Sequence, residues 1–355
     1  MKKKDIAKIA NILTGVRHVA VVSHYNPDGD AIGSALALWH FFMQKGIDAQ
    51  VVLPNPFPDF LAWLPGAEHI VVAEKNKTKA RNAIAGADLL FVVDMNAAHR
   101  AGQEVEPMIE QCQAFKVLID HHVLPELPCD LSYSTTQTSS TCELLYRFLF
   151  DELKCKDQLT HALSTCLYTG IITDTGSLSY SCNNPYTYLI LSKLLKTGIN
   201  GEDIHRLVYD NYEASRLRLL GLSLSRRMKI LPEYATAYIF LSSEDLKENY
   251  YKIGDTEGFV NYGLSLKNVQ FAAIFIQREK KVRVSFRSKG NFDVNLFART
   301  HFNGGGHRNA SAAYCDLPLS ETVAFFESLL PQYQEILTRP YPQNQISIVH
   351  AKNKS

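Results

Sequence analysis

At 355 residues and 46% hydrophobic content, the chain can bury two ordinary cores, so two domains are expected rather than one. A formal net charge of +1 excludes a surface built to coat nucleic acid or wrap a polyanion, while leaving room for a small basic pocket. Seven cysteines, at 112, 129, 142, 155, 166, 182 and 315, form no C-x-x-C pair and suit no disulfide framework, so they read as reduced, mostly buried small hydrophobes.

The start, MKKKDIAKIANIL, is basic, but Asp5 and Lys8 break its apolar stretch and no small-residue cleavage site follows. It reads as an amphipathic helix. No run approaches the roughly twenty apolar residues of a membrane span, so a cytoplasmic protein is expected. Strand-like runs follow at 16–23, 50–54, 69–73, 88–94 and 115–120, with room for helices between several of them, which indicates a mostly parallel sheet covered on both faces. The apolar stretch Ile32 to Phe42 reads as a helix entered through Gly33 and Ser34. Helical patterns continue at about 138–151, 157–172 and 186–230. Past Pro232 the texture changes: YATAYIFLSS, VQFAAIFIQRE and KVRVSFRS read as strands, with helices near 293–300 and 319–337. The expected architecture is therefore α/β, a mostly parallel sheet domain (1–190) joined by a helical linker (191–225) to a smaller α+β domain (226–340), with a polar tail (341–355).

Acidic and imidazole residues gather where the first domain's strands and helices end. His24, Asp28 and Asp30 lie in SHYNPDGDAIGS, Asp94 ends LLFVVDMN, Asp120, His121 and His122 end KVLIDHHV, and Asp174 precedes the Thr-Gly turn of YTGIITDTGS. Each alone has an ordinary explanation, since Asn, Asp, Pro and Gly are turn formers and a lone Asp is commonly a helix cap. Turn formation does not explain the i, i+4, i+6 spacing of His24, Asp28 and Asp30, nor four such stations in succession. Ligands of an open α/β sheet bind at the carboxyl edge, and crowded carboxylates there call for a cation. Oxygen and imidazole donors without thiolate suit manganese or magnesium better than a structural zinc. In the second domain NGGGHRN lacks Cβ atoms at three successive positions, so its amides can approach a phosphate; the run reads equally well as a plain turn.

HYNPDGDAIGS, VVD at 92–94, DHH at 120–122 and GIITDTG at 170–176 resemble the four successive motifs of the DHH phosphoesterase superfamily, and GGGHRNASA at 304–312 resembles the signature of its DHH-associated C-terminal domain. The resemblance spans about residues 10 to 335 in the right order. Size, DTEGFVNYG and VRVSFRSKGNFDVN further resemble the bacterial group that combines nanoRNase and 3′-phosphoadenosine 5′-phosphate phosphatase activities. It implies two manganese ions, with magnesium as a substitute: one held by His24, Asp28 and Asp94, the other by Asp30, Asp94, His121 and Asp174, with Asp94 bridging. Asp120 would orient a histidine, and His122 would contact the phosphate or assist the leaving oxygen. Arg287, Ser288, Gly304, Gly305, Gly306, His307 and Arg308 would grip the substrate, a short RNA or DNA oligonucleotide or a phosphorylated nucleotide. With no apolar span, no membrane partner is expected, and a homodimer is allowed. Ala312 stands where the family commonly has glycine, which puts the backbone near the signature in question.

Other readings keep the metals and change the substrate, to a cyclic or linear dinucleotide or to polyphosphate or pyrophosphate. The polyphosphate reading needs a denser cationic lining than the sequence offers. A processive single-strand nuclease needs a longer basic channel with stacking platforms. A regulatory or RNA-binding module over a dead site is disfavoured because every ligand-type residue is present.

Overall fold

The unbroken apolar runs of the first half become strands buried on both faces. The computed structural model describes residues 3–278 and 281–339, so the tail expected over 341–355 lies outside the described residues. The chain forms two compact units that part between Tyr212 and Glu213.

The first unit runs α1 (Lys3–Leu13), β1 (His18–Val22), α2 (Gly29–Met43), β2 (Asp48–Leu53), β3 (Val71–Val72), α3 (Lys77–Ala85), β4 (Leu89–Val93), α4 (Gly102–Gln111), β5 (Phe115–Asp120), β6 (Leu131–Ser134), α5 (Thr141–Tyr146), α6 (His161–Asp174), α7 (Pro185–Leu195) and α8 (Gly201–Tyr209). Its described strands pair in parallel in the order β3-β2-β1-β4-β5-β6. Alternate residues serve opposite cores. Val19, Val21, Phe91 and Val93 share a cluster with Leu36, Leu145 and Leu167 from α2, α5 and α6. Ala20, Val22, Leu90 and Val92 share another with Ile84 of α3 and Val105 and Ile109 of α4. A strand with two apolar faces cannot show polar alternation, which is why these read as continuous runs.

The second unit runs α9 (Ala214–Arg226), β7 (Met228–Leu231), β8 (Thr236–Leu241), α10 (Ser243–Glu248), α11 (Phe259–Ser265), β9 (Phe271–Arg278), β10 (Lys281–Ser288), α12 (Val294–Phe302), β11 (Gly305–His307), β12 (Ala310–Cys315), α13 (Leu319–Leu329) and α14 (Gln334–Thr338). The order is β11-β12-β10-β9-β8-β7, antiparallel except for the β8–β9 pair. One face packs Phe271, Phe275 and Phe286 against Phe297 of α12 and Phe326 of α13; the other sets Ile239 and Ile274 against Leu219 of α9 and Phe259 of α11.

Three elements differ from the sequence reading. β6 was not expected, because LSYS is a four-residue strand with one buried position. The helix expected at 138–151 is the short α5 continued by a π-helical turn, Arg147–Glu152. The stretch 186–230 is three helices and the start of β7, and the segment read as a linker is shared between the units: Leu191, Leu194, Ile204 and Val208 belong to the first core and Leu219 to the second. The cysteines are all free, as expected. No helix among the described residues is long and apolar enough to cross a membrane.

The second unit contains an ion pair, with its carboxylate buried and its guanidinium partly exposed, that fixes α10. Arg227 Nε and Nη2 donate to Asp245 Oδ2 and Oδ1 at 2.9 and 2.8 Å, while the Ser242 amide donates to Asp245 Oδ2 at 3.0 Å. Burial pushes the Asp245 carboxyl up, but the Arg227 and Ser242 hydrogen bonds outweigh it and hold it below its ordinary value. A depressed carboxyl stabilises the fold above its unfolded pKa, and that contribution is lost as pH falls through the folded one. Asp245→Asn should therefore cost about 1–2 kcal/mol at neutral pH, a figure kept modest because the Arg227 side chain is 36% exposed. Thermal unfolding of both proteins at neutral pH and below about pH 4 checks this: the gap should narrow at acid pH, and an unchanged gap would assign the loss to packing.

Candidate active site

β1, β4 and β5 are neighbours, so the residues that follow their carboxyl ends emerge side by side. The loop after β1 is pinned at two points. Ser23 Oγ donates to the Val93 carbonyl at 2.9 Å, and Asn26, with a left-handed φ of 56°, exchanges hydrogen bonds with Asn55: its amide donates to Asn55 Oδ1 at 2.7 Å and Asn55 Nδ2 donates to its Oδ1 at 3.1 Å. α2 begins at Gly29 rather than near Ile32, because Asp28 Oδ1 accepts the amides of Asp30 and Ala31 at 3.0 and 3.1 Å and caps the helix. Asp30 thus joins the first turn. α6 crosses α2 closely enough that a Cβ on Gly170 would lie 2.9 Å from Asp30 Oδ1, and its last residue is Asp174.

Two groups of donors share one carboxylate. His24 Nε2 lies 3.4 Å from Asp94 Oδ2 and 4.0 Å from Asp28 Oδ1. His121 Nε2 lies 3.4 Å from Asp94 Oδ1, 3.6 Å from Asp174 Oδ2 and 3.7 Å from Asp30 Oδ2. Each of the sets His24/Asp28/Asp94 and Asp30/Asp94/His121 offers ligand atoms within 4.8 Å of one another. Asp94 follows β4 at a left-handed φ of 56°, which turns its carboxylate so that one oxygen faces each set. Beside them His122 Nδ1 donates to Asp120 Oδ1 at 2.7 Å, and the His122 amide donates to Asp120 Oδ2 at 3.2 Å.

Charge in this pocket is poorly compensated by the protein alone. Burial disfavours ionisation of Asp94, yet hydrogen bonds from His121 and His24 outweigh it and hold its carboxyl well below the ordinary value. Burial also opposes protonation of His121, but Asp174, Asp94 and Asp30 push it up to about 10. Burial, with Asp94 and Asp174 beside it, pushes Asp30 well up, and burial with Asp94 raises Asp120 to about 7. Protons here do what a cation would do. His24 is oriented as a ligand would be: its Nδ1 donates to the Tyr25 carbonyl at 3.0 Å, so Nε2, the nitrogen turned toward Asp94, is the one a cation in that place would take. The residues present therefore fit a divalent metal centre.

In the second unit, His307, Ala310 and Arg287 form one row across β11, β12 and β10. Arg287 is half-buried, and its Nη1 donates to the Phe286 carbonyl at 3.0 Å. The three glycines play different parts. A Cβ on Gly304 would lie 2.4 Å from the Ala312 carbonyl oxygen, and Gly306, at φ 145°, would place one 2.6 Å from that of Ala310, so the hairpin itself demands both. Gly305 has no such neighbour. Ser288 Oγ donates to the Phe292 carbonyl at 2.7 Å and accepts from Asn309 Nδ2 at 2.9 Å, which closes the turn between them. Arg308 is exposed, with Nη2 donating to the Asn291 carbonyl at 3.3 Å. Ala312 sits in regular register opposite Gly305 and Ser285 with its methyl exposed, so the strand accommodates it without distortion.

Sequence reasoning missed two neighbours of the site. Thr141 opens α5 and donates to Asp94 Oδ1 from its hydroxyl at 2.8 Å and to Asp30 Oδ2 from its amide at 2.6 Å. The S-x-x-E spacing of Ser140 and Glu143 signalled a helix start there, although nothing in it pointed to the acidic residues. Arg100, half-buried after β4, lies near enough for its charge to oppose protonation of both His24 and Asp120.

Comparison with known proteins identifies the domains and their relatives. Residues 18–171 match the N-terminal domain of the DHH family, and residues 233–332 match the DHHA1 domain. A Streptococcus mutans protein named as a probable bifunctional oligoribonuclease and PAP phosphatase NrnA is 30% identical over 313 residues, 88% of this chain and 92% of its own length. The bifunctional oligoribonuclease and PAP phosphatase NrnA of Thermus thermophilus is 27% identical over 343 residues, 95% of each chain. Among solved structures, an exopolyphosphatase-related protein from Bacteroides fragilis superposes with a TM-score of 0.89 at 38% identity, covering 94% of this chain and 98% of its own. Both domain matches in the expected order, and a relative spanned almost end to end, place the chain in the DHH family of phosphoesterases, hydrolases that act on phosphoester bonds.

Proposed function

We propose that this hydrolase uses manganese to cleave very short oligonucleotides and 3′-phosphoadenosine 5′-phosphate in the cytoplasm. The observation that carries the reading is the Asp94 carboxylate, with one oxygen toward His24 and the other toward His121. His24, Asp28 and Asp94 would hold one ion, and Asp30, Asp94, His121 and Asp174 the other. Two such ions lower the pKa of a water and stabilise charge on the attacking and departing oxygens at phosphorus. Asp120 orients His122 through the Nδ1 hydrogen bond, leaving Nε2 to contact the phosphate or to give its proton to the leaving oxygen. The first unit performs the chemistry, and the second binds the nucleotide through Arg287, Gly305, His307 and Arg308, with Gly304, Gly306 and Ser288 shaping that edge. Activity on a short oligonucleotide and on the bisphosphorylated nucleotide is supported by the names of the two relatives above.

A substrate panel with manganese tests this: dinucleotides, 3′-phosphoadenosine 5′-phosphate, a ten-nucleotide RNA, cyclic di-adenosine monophosphate and polyphosphate. Highest kcat/KM on the first two is expected, and polyphosphate or the long RNA as best substrate would overturn the assignment. Calcium should support far less activity than manganese, since the larger ion prefers more oxygen ligands than this mixed imidazole–carboxylate set supplies. Equal rates with both ions would count against the donor set. Arg287→Ala should lower kcat/KM on a dinucleotide by about tenfold to a hundredfold, the loss of one charge-assisted contact, and barely change hydrolysis of a small chromogenic phosphodiester. Equal loss on both would remove Arg287 from substrate binding.

A further inference from the structure

The segment between β6 and α5 touches the proposed metal ligands with three donors at once. The Thr141 hydroxyl donates to Asp94 Oδ1 at 2.8 Å, the Thr141 amide to Asp30 Oδ2 at 2.6 Å, and the Cys142 amide to Asp30 Oδ1 at 2.9 Å. Asp30 and Asp94 are almost wholly buried, and one of them contributes to both donor sets. A carboxylate oxygen has two lone-pair directions, so one accepted hydrogen bond fixes where the other points.

The segment is itself locked. Glu143, with no exposed surface, accepts from the Ser139 amide at 3.1 Å, from Ser139 Oγ at 2.5 Å and from Thr187 Oγ1 of α7 at 2.7 Å, and it pairs with Arg147. Ser140 Oγ accepts the Glu143 amide at 3.0 Å, closing the first turn. A carboxylate this deeply buried is tolerable because donors surround it, and satisfied networks of this kind rigidify what they hold. Thr141 and Cys142, which contact Asp30 and Asp94, lie in the chain between the held Ser140 and Glu143.

We infer that Thr141 is a positioning residue of the metal centre: its hydroxyl, carried on the segment that the Glu143 network holds, sets the direction of the shared Asp94 carboxylate. The inference rests on the metal-binding reading proposed above. Groups hydrogen-bonded to metal ligands commonly govern affinity by about 10–100-fold.

The test is manganese titration by calorimetry on wild type, Thr141→Val, Thr141→Ala and Thr141→Ser, with thermal unfolding of the metal-free proteins alongside. Thr141→Val keeps the shape and loses the hydroxyl; Thr141→Ser loses the methyl and keeps the hydroxyl. Expected is an affinity about tenfold or more weaker for Val and Ala, recovery to within about threefold for Ser, and metal-free unfolding midpoints of Val and Ser alike. Should Val fail to fold, the Ala–Ser pair decides, because both lack the methyl and only one has the hydroxyl. Wild-type affinity in Thr141→Val, or equal weakening in Ala and Ser, overturns the inference. A wild type that binds no manganese instead overturns the metal reading itself, so the two failures are distinct.

Discussion

Asp94→Asn lowers kcat by at least about 10³-fold, equivalent to roughly 4 kcal/mol of barrier, in a protein that still folds. The carboxamide has one acceptor oxygen where the carboxylate has two, and Asp94 uses both: Oδ2 toward His24, Oδ1 toward His121 and the Thr141 hydroxyl. Whichever way the amide turns, an NH2 group faces one donor set and half of the shared ligand is lost along with its charge. The backbone does not confound the experiment, because asparagine tolerates the left-handed φ of 56° as readily as aspartate does. Turnover of a dinucleotide and manganese titration on the same preparation are the measurements. Near-normal turnover by the folded variant would end the two-ion reading.

Asp120→Asn should lower kcat by about 10²–10³-fold while manganese affinity stays within a few-fold of wild type. The buried Asp120 carboxylate accepts from both the Nδ1 and the backbone amide of His122. Asparagine can serve only one of them with its oxygen. If its NH2 faces Nδ1, the ring must accept there, and the variant loses the carboxylate that would support a charged imidazole during proton transfer; such transfer contributes about 10²–10⁴-fold. Parallel titrations separate roles, since a loss of metal affinity in step with kcat would make Asp120 a ligand and not the residue that orients His122.

How far the sequence foretold this site depended on whether a feature was local. The strands ending at Val22, Val93 and Asp120 were legible because a doubly buried strand is an uninterrupted apolar run, and their parallel order placed the acidic stations on one edge. The early start of α2 was hidden because HYNPDGD satisfies turn chemistry and helix capping with the same residues; only the structure shows Asp28 accepting two amides. Thr141 escaped for a different reason. Its partners lie 47 and 111 positions away, a distance no periodicity can bridge. Gly304 and Gly306 are explained by close contacts within their own hairpin, so the glycine run carried less binding information than its composition suggested.

The scatter of the proposed metal ligands along the chain has a consequence for how the protein is made. His24 and Asp174 would both serve the proposed centre, and β1 reaches β4 only after β2, β3 and α3 have been laid aside. A chain emerging from the ribosome therefore holds an incomplete ligand set until α6 has been synthesised and has docked on α2. Unfolded segments rarely contain a preformed metal site, so metal capture comes late and rewards only the finished topology. Truncated or misassembled chains would keep their carboxylates apart and gain nothing from a metal that stabilises only the completed protein.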